Sequence, residues 1–76
     1  MTIAIYTTPT CEYCNQLKQY LQERGVDYTE HNVAKDLQRA DEMARKSGQF
    51  GVPVVDIDGR IVVGFNKAEI DRALGP

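Results

Sequence analysis

Cys11 and Cys14 are the residues of this chain whose type and spacing favour covalent chemistry. They are the only two cysteines among 76 residues, and two residues separate them. A thiolate is a strong nucleophile toward a disulfide, and a second thiol at this spacing can close a disulfide with the first. The pair therefore predicts dithiol–disulfide redox chemistry.

The residues in front of the pair predict a helix that starts at the first cysteine. Pro9 prevents the preceding strand-like run from continuing as a helix, and Thr10 offers a hydroxyl that can cap a helix N-terminus. Cys11 then lies at or just inside the N-terminus, and Cys14 lies one turn further in. Unpaired backbone N–H groups and the helix dipole favour a thiolate at Cys11. Cys11 is therefore the predicted exposed nucleophile, and Cys14 is the predicted buried and less reactive partner.

Two cysteines can also form a structural disulfide or bind a metal. A disulfide across this spacing closes almost no loop, so it would stabilise the fold little. Structural zinc needs about four ligands, whereas the chain has two cysteines and one histidine, His31, so we predict no metal site. A copper-chaperone-like module also has two cysteines before its first helix, but it ends with the element order β-α-β. A non-enzymatic thiol module, which binds a metal or a partner protein through Cys11 and Cys14, is the alternative to redox catalysis.

Hydrophobic periodicity predicts a strand followed by a helix in the first third of the chain. An apolar run typical of a buried strand spans residues 2–7. A helix is predicted over residues 12–24, with Leu17 and Leu21 on its apolar face and Gly25 as its stop.

A second strand and an amphipathic helix are predicted next. The strand spans residues 26–33 and the helix spans residues 35–47, with Gly48 at its end. The apolar face of this helix comprises Leu37, Ala40, Met43 and Ala44.

The last third of the chain predicts a β-hairpin and a helix. Strands over residues 52–57 and 60–64 flank Asp58-Gly59, a dipeptide typical of a two-residue hairpin turn. Asn66 and Glu69 have the spacing of a helix N-cap, and they precede a helix with an apolar face of Ile70, Ala73 and Leu74. The predicted element order is β-α-β-α-β-β-α, with a parallel first crossover and an antiparallel hairpin.

The composition predicts one globular domain over residues 1–76. Nine basic and eleven acidic residues give a net charge of −2, which argues against a general role at nucleic acids or at membrane surfaces. No apolar run approaches the roughly 18 residues of a membrane span, and no signal-peptide pattern is present. We therefore expect a cytoplasmic protein, and nothing in the sequence requires more than a monomer.

The order of elements and motifs resembles the glutaredoxins within the thioredoxin fold. The motif Tyr-Thr-x-Pro-x-Cys-x-Tyr-Cys stands between a strand and a helix, and Val52-Pro53 opens the hairpin. The resemblance covers residues 3–74 and implies an α/β fold with a four-stranded mixed sheet and three helices. It also implies a cis peptide bond between Val52 and Pro53, and pairing of the Val52 backbone with an extended thiol-bearing substrate.

Three positions depart from the usual glutaredoxin pattern. Thr8 stands where glutaredoxins usually carry Lys, Gly51 stands where they usually carry Thr, and Phe65 replaces the second residue of a Gly-Gly pair. The Gly64-Phe65 form is similar to the NrdH-type redoxins, which are shaped like glutaredoxins but take electrons from thioredoxin reductase. The resemblance therefore favours a reductase of that type over glutathione as the electron donor.

The predicted substrate-binding residues surround the cysteines: Thr10, Glu12, Tyr13, Val52, Pro53, Gly64 and Phe65. Tyr13 either lines the rim of the site or packs beside Leu17, and Phe65 is either a core residue or an exposed contact residue. Glu12 stabilises the first helical turn, but its charge opposes thiolate formation at Cys11. We predict that His31 is a solvated surface residue without a catalytic role.

Together these features predict a dithiol–disulfide oxidoreductase. Cys11 attacks a disulfide in a substrate protein, Cys14 resolves the mixed disulfide, and an external reductant restores the dithiol. The dithiol is the redox group, so we expect no bound cofactor.

Overall fold

A computed structural model describes residues 1–75 and contains the seven elements in the predicted order. They are β1 (Ile3–Thr7), α1 (Glu12–Glu23), β2 (Thr29–Asn32), α2 (Leu37–Ser47), β3 (Val54–Ile57), β4 (Arg60–Val63) and α3 (Lys67–Leu74). No helix within these 75 residues is long and apolar enough to cross a bilayer.

The four strands form one mixed sheet in the order β2-β1-β3-β4. β1 and β2 are parallel, and α1 is the crossover between them, as predicted. β3 is antiparallel to both β1 and β4, which confirms the hairpin. Tyr6 lies opposite Val54 in this register, so the residues that follow β1 and those that precede β3 meet at one edge of the sheet.

Each face of the sheet has its own hydrophobic core, because side chains alternate along a strand. Ile3 and Ile5 of β1 belong to the core that also contains residues of α1 and α3. Tyr6 belongs to the other core, with Met43 of α2. α1 and α3 therefore cover one face, and α2 covers the opposite face.

α2 begins two residues later than predicted, because Asp36 is its N-cap. The Asp36 carboxylate accepts a hydrogen bond from the Arg39 N–H (3.2 Å). The prediction that Leu37 lies on the apolar face is wrong, since its side chain is 79% exposed in the first turn. Gly48 ends the helix in the left-handed conformation (φ 75°), as predicted.

β2 is shorter than the predicted strand over 26–33. The Val26 N–H bonds the Leu21 carbonyl oxygen (3.2 Å) at the end of α1, so this part of the chain caps the helix and does not join the sheet. Val26 and Tyr28 nevertheless pack against the core under α1.

The hairpin turn and the cap of α3 agree with their sequence signals. Asp58 and Gly59 both have positive φ (50° and 93°), as a tight two-residue hairpin turn requires. The Asn66 side chain accepts a hydrogen bond from the Glu69 N–H (3.2 Å) at the start of α3. β3 begins two residues later than predicted, at Val54, and β4 ends at Val63.

Candidate active site

Cys11 is the N-cap of α1, at the end of the loop that follows β1. Its sulfur accepts a hydrogen bond from the Cys14 N–H (3.1 Å), one of the N–H groups that the first helical turn leaves unpaired. The expected cap, Thr10, is exposed and does not fill that position. The Cys11 N–H bonds the Thr8 carbonyl oxygen (3.3 Å), and this turn places Cys11 at the helix start.

The two thiols have different environments. Cys11 is partly exposed and Cys14 is completely buried (0%), and no disulfide joins them in this structure. Burial and, second, the hydrogen bond to the Cys11 sulfur raise the pKa of the Cys14 thiol to about 12. The Thr8 backbone and the Lys18 ammonium act in the opposite direction. Cys14 is therefore a neutral thiol at physiological pH, and it lies directly behind an accessible sulfur.

The loop before β3 approaches the same edge of the sheet. The Val52–Pro53 peptide bond is cis, which confirms the expectation from the family resemblance. Pro53 is buried and Val52 is half-buried. The Gly64 N–H donates to the Pro53 carbonyl oxygen (2.8 Å), so the structure brings the Val52-Pro53 and Gly64 segments together.

Gly51, the residue before this pair, lies against the end of the Gln49 side chain. A Cβ atom at Gly51 would lie 2.6 Å from the Gln49 side-chain oxygen. The Gln49 amide also donates to the Gly51 carbonyl oxygen (3.0 Å). The close atom is the end of a flexible side chain, so a larger residue at position 51 would displace the Gln49 amide and not the backbone.

Two residues of the first helical turn lie at the surface beside Cys11. Tyr13 is 63% exposed, so it lies at the surface and is not packed into the core beside Leu17. Glu12 is exposed in the first turn, the position where its charge favours the helix.

Phe65 is neither fully buried nor fully exposed. It packs against the core under α1, and its ring meets the Tyr20 ring edge-on at 5.8 Å. The Lys67 ammonium lies 5.5 Å from the centre of the Tyr20 ring and 5.6 Å from that of Phe65. These residues line an open cavity of about 240 Å³ between α1 and the loop after β4. The sequence does not reveal the contact of Tyr20 with Phe65 and Lys67, because only the tertiary fold brings α1 next to that loop.

His31 is half-buried, so the prediction of a solvated surface residue is wrong. The register between β1 and β2 places it opposite Tyr6, and their ring centres are 5.3 Å apart. No group of three or more His, Cys, Asp or Glu side chains within residues 1–75 is arranged to hold a metal ion.

The mixed sheet and its three helices, with a cysteine pair at the start of the first helix, define a thioredoxin-like fold. A family model described as Glutaredoxin matches residues 3–62. The chain belongs to the glutaredoxin family, and this membership supports a thiol–disulfide redox function.

Relatives with curated names agree with this assignment. An uncharacterized glutaredoxin-like 8.6 kDa protein in the rubredoxin operon of Clostridium pasteurianum is 51% identical over 72 residues, which cover 95% of this chain and 96% of the relative. Glutaredoxin 3 of Escherichia coli is 34% identical over 62 residues, which cover 82% and 75% of the two chains.

A solved structure extends the likeness to the NrdH type. The glutaredoxin-like protein NrdH-redoxin from Escherichia coli superposes with a TM-score of 0.83 and 34% identity, covering 100% of this chain and 97% of the other. That protein is described as having a thioredoxin-like activity profile.

Proposed function

We propose that this protein is a dithiol–disulfide oxidoreductase that works through Cys11 and Cys14. The Cys11 thiolate attacks one sulfur of a substrate disulfide, forms a mixed disulfide and expels the other sulfur as a thiolate, which water protonates. Cys14 then loses its proton to water and attacks the Cys11 sulfur. The second substrate sulfur leaves with its electron pair and is protonated by water. The substrate gains two electrons and two protons, and the protein is left with a Cys11–Cys14 disulfide.

The observation that carries this proposal is the asymmetry of the two sulfurs. Cys11 is partly exposed and accepts a backbone N–H, a contact that stabilises negative charge on its sulfur. Cys14 is buried one helical turn further in, where only a disulfide already joined to Cys11 is within its reach. This arrangement suits a nucleophile and a resolving thiol, and it gives each cysteine one role.

The substrate segment is proposed to lie across the edge where the two loops meet. The backbone of Val52, Pro53 and Gly64 forms the floor, and Thr10, Glu12, Tyr13 and Phe65 are the proposed rim contacts. The hydrogen bond between Gly64 and Pro53 supports a floor of fixed shape. The exposed ring of Tyr13 offers apolar area next to Cys11, which suits contact with a protein surface.

A thioredoxin-reductase-type flavoenzyme is the proposed electron donor, in preference to glutathione. Glutathione carries two carboxylates, and this chain has Thr8 in place of the usual cation for one of them. Losing a charge-assisted hydrogen bond weakens binding by about 1.5–3 kcal/mol, or about one to two orders of magnitude. The thioredoxin-like activity profile of NrdH-redoxin supports the same preference.

Two cations are candidates for replacing the missing lysine. Arg60 bonds Glu69 (3.2 Å) and lies next to the hairpin turn, at the end of β4 away from Gly64. Lys67 lies beside Phe65, over two aromatic rings. Lys67 is therefore the residue to vary if glutathione proves to be an efficient donor.

The experiment is a steady-state assay of insulin disulfide reduction with two NADPH-linked donor systems. One contains glutathione and glutathione reductase, and the other contains thioredoxin reductase. We expect turnover with thioredoxin reductase at least tenfold above turnover with glutathione, and none in Cys11→Ser with either system. Thr8→Lys should raise the glutathione rate, whereas Asn15→Lys, a matched cation at an exposed position of α1 outside the proposed contacts, should raise it less.

Two results would contradict different parts of the proposal. Efficient turnover with glutathione and none with thioredoxin reductase would overturn the donor assignment alone. Full insulin reduction by Cys11→Ser would overturn the redox mechanism itself.

A further inference from the structure

Behind the active site, one polar side chain from each of three elements forms a continuous chain. Lys18 of α1 pairs with Glu30 of β2 (Nζ to Oε2, 3.1 Å). The same carboxylate oxygen accepts a hydrogen bond from the hydroxyl of Thr7 of β1 (2.6 Å). Thr7 is only 2% exposed, so this anchor is fixed within the sheet. We call these three residues the Lys18–Glu30–Thr7 chain.

The Lys18–Glu30–Thr7 chain holds the Lys18 ammonium group about one helical turn from the buried Cys14. Lys18 follows Cys14 by four residues in α1, and residues at this spacing lie on the same face of a helix. The Lys18 side chain is 29% exposed, so water screens its charge less than that of a fully exposed lysine. The hydrogen bond from Thr7 also helps to keep Glu30 ionised, because it lowers the pKa of that carboxyl group. Glu30 in turn holds Lys18 in place.

The charged and polar groups that act on Cys14 come from two places. The active-site loop contributes the Cys11 sulfur and the Thr8 backbone, and α1 contributes Lys18. Glu30 faces Lys18 from β2.

The balance among these groups changes during the reaction. In the dithiol state the Cys11 sulfur keeps Cys14 protonated, both through their hydrogen bond and through like-charge repulsion. In the mixed disulfide the Cys11 sulfur is covalently bonded and uncharged, so it no longer opposes ionisation of Cys14. Lys18 and the Thr8 backbone still favour the Cys14 thiolate, whereas burial still disfavours it.

We propose that Lys18, held by Glu30 and Thr7, is a positioning residue for the second exchange step, in which it stabilises the Cys14 thiolate as that thiolate attacks the mixed disulfide. The inference rests on the proposed function. In this step the Cys14 thiol gives its proton to water, the Cys14–Cys11 bond forms, and the bond between Cys11 and the substrate sulfur breaks. The substrate sulfur leaves with its electron pair, and water protonates it.

The test uses the chromogenic disulfide dithiobis(nitrobenzoate) and stopped-flow absorbance. The reduced protein should release one aromatic thiol in a phase that depends on reagent concentration, as Cys11 attacks. A second equivalent should follow in a concentration-independent phase, as Cys14 resolves the adduct. Cys14→Ser should release only the first equivalent, and this assigns the second phase.

Lys18→Met is expected to slow the second phase and leave the first phase much less affected. If the pKa of Cys14 in the mixed disulfide rises by about one unit, the thiolate fraction falls about tenfold. A more basic thiolate is also more nucleophilic, with a Brønsted coefficient of about 0.4–0.5, so the net slowing is about three- to fourfold near neutral pH. The difference in second-phase rate should shrink only as the pH approaches the pKa of Cys14 in the mixed disulfide, where ionisation of the thiol no longer limits the rate. Lys18→Arg should retain most of the rate.

Lys35→Met is the matched control, because Lys35 is exposed in the loop before α2. It should leave both phases unchanged. Equal second-phase rates in Lys18→Met and in the unaltered protein, or equally slow second phases in Lys18→Met and Lys18→Arg, would overturn the role of Lys18 while leaving the proposed function intact. Release of a single equivalent by the unaltered protein would instead contradict the proposed function.

Discussion

At the scale of single residues, Cys11 and Cys14 have identical side chains but different environments, and these environments give them different reactivities. Cys11 caps a helix at the surface, and Cys14 has no exposed area. A thiol reacts with electrophiles as its thiolate, so reactivity depends on both access and ionisation. Both factors favour Cys11 for the first encounter with a substrate.

This difference predicts selective alkylation of the reduced protein by iodoacetamide. At pH 9, a thiol with a pKa of about 12 is only about one-thousandth ionised, so Cys14 should stay largely unmodified from pH 6 to pH 9. Cys11 should be labelled over the same range. Peptide mapping by mass spectrometry gives the two rates, and protein unfolded in urea is the control in which both cysteines should react. Faster labelling of Cys14 than of Cys11 in the folded protein would reverse the roles assigned to them.

At the scale of secondary-structure elements, the caps of α1 and α3 position the active-site segments. The Cys11 sulfur caps α1, and Asn66 caps α3 directly after Phe65. The Asn66 cap therefore fixes the direction in which the chain leaves the Gly64-Phe65 segment.

Replacing Asn66 with Ala should lower the free energy of unfolding by about 1 kcal/mol, the usual cost of losing an N-cap side chain. Urea denaturation measures this change. Asn15→Ala is the matched control, because Asn15 is exposed inside α1, where Ala is a better helix former than Asn. An Asn66 variant as stable as the unaltered protein would show that the cap does not hold this end of α3.

Local sequence signals predicted the elements well, and long-range contacts explain where they failed. Asn66, Gly48 and the Asp58-Gly59 turn act through neighbours within a few residues, so their effects are readable from the sequence. The start of β2 depends on a bond between Val26 and the end of α1, which strand periodicity does not reveal.

The candidate site also has some parts that the sequence reveals and others that only the folded structure reveals. The cysteine pair and the Val52-Pro53 segment carry recognisable motifs. The contact of Phe65 with Tyr20 and the pairing of Lys18 with Glu30 depend on tertiary packing.

At the scale of the whole molecule, a polar network joins α2 to the sheet on the face away from α1. The buried Tyr6 hydroxyl donates to Glu42, which also accepts a hydrogen bond from Arg39 (3.0 Å). Lys46 bonds both the Tyr6 hydroxyl (2.9 Å) and Asp56 (2.7 Å). The hydrogen bond from Tyr6 is the main cause that lowers the pKa of Glu42.

The lowered pKa predicts how Glu42 contributes to stability as the pH changes. Its contribution is fully present above the pKa of glutamate in the unfolded chain, about 4.3, and is lost as the pH falls through the lower folded value. Glu42→Gln should therefore be less stable than the unaltered protein at pH 7, and the gap should narrow toward pH 3. Chemical denaturation at both pH values tests this, with Glu23→Gln, at an exposed position of α1, as the control. A gap that is equal at pH 7 and pH 3 would contradict the role of the Glu42 carboxylate.

The most direct test of the proposed redox mechanism is to trap its covalent intermediate. Cys14→Ser should accumulate a mixed disulfide with a disulfide-containing protein, and mass spectrometry of the digested complex should locate the bond at Cys11. Cys11→Ser, the matched variant, should form little adduct because Cys14 is buried. Equal adduct formation in the two variants, or no adduct in Cys14→Ser, would contradict the mechanism in which Cys11 attacks first and Cys14 resolves.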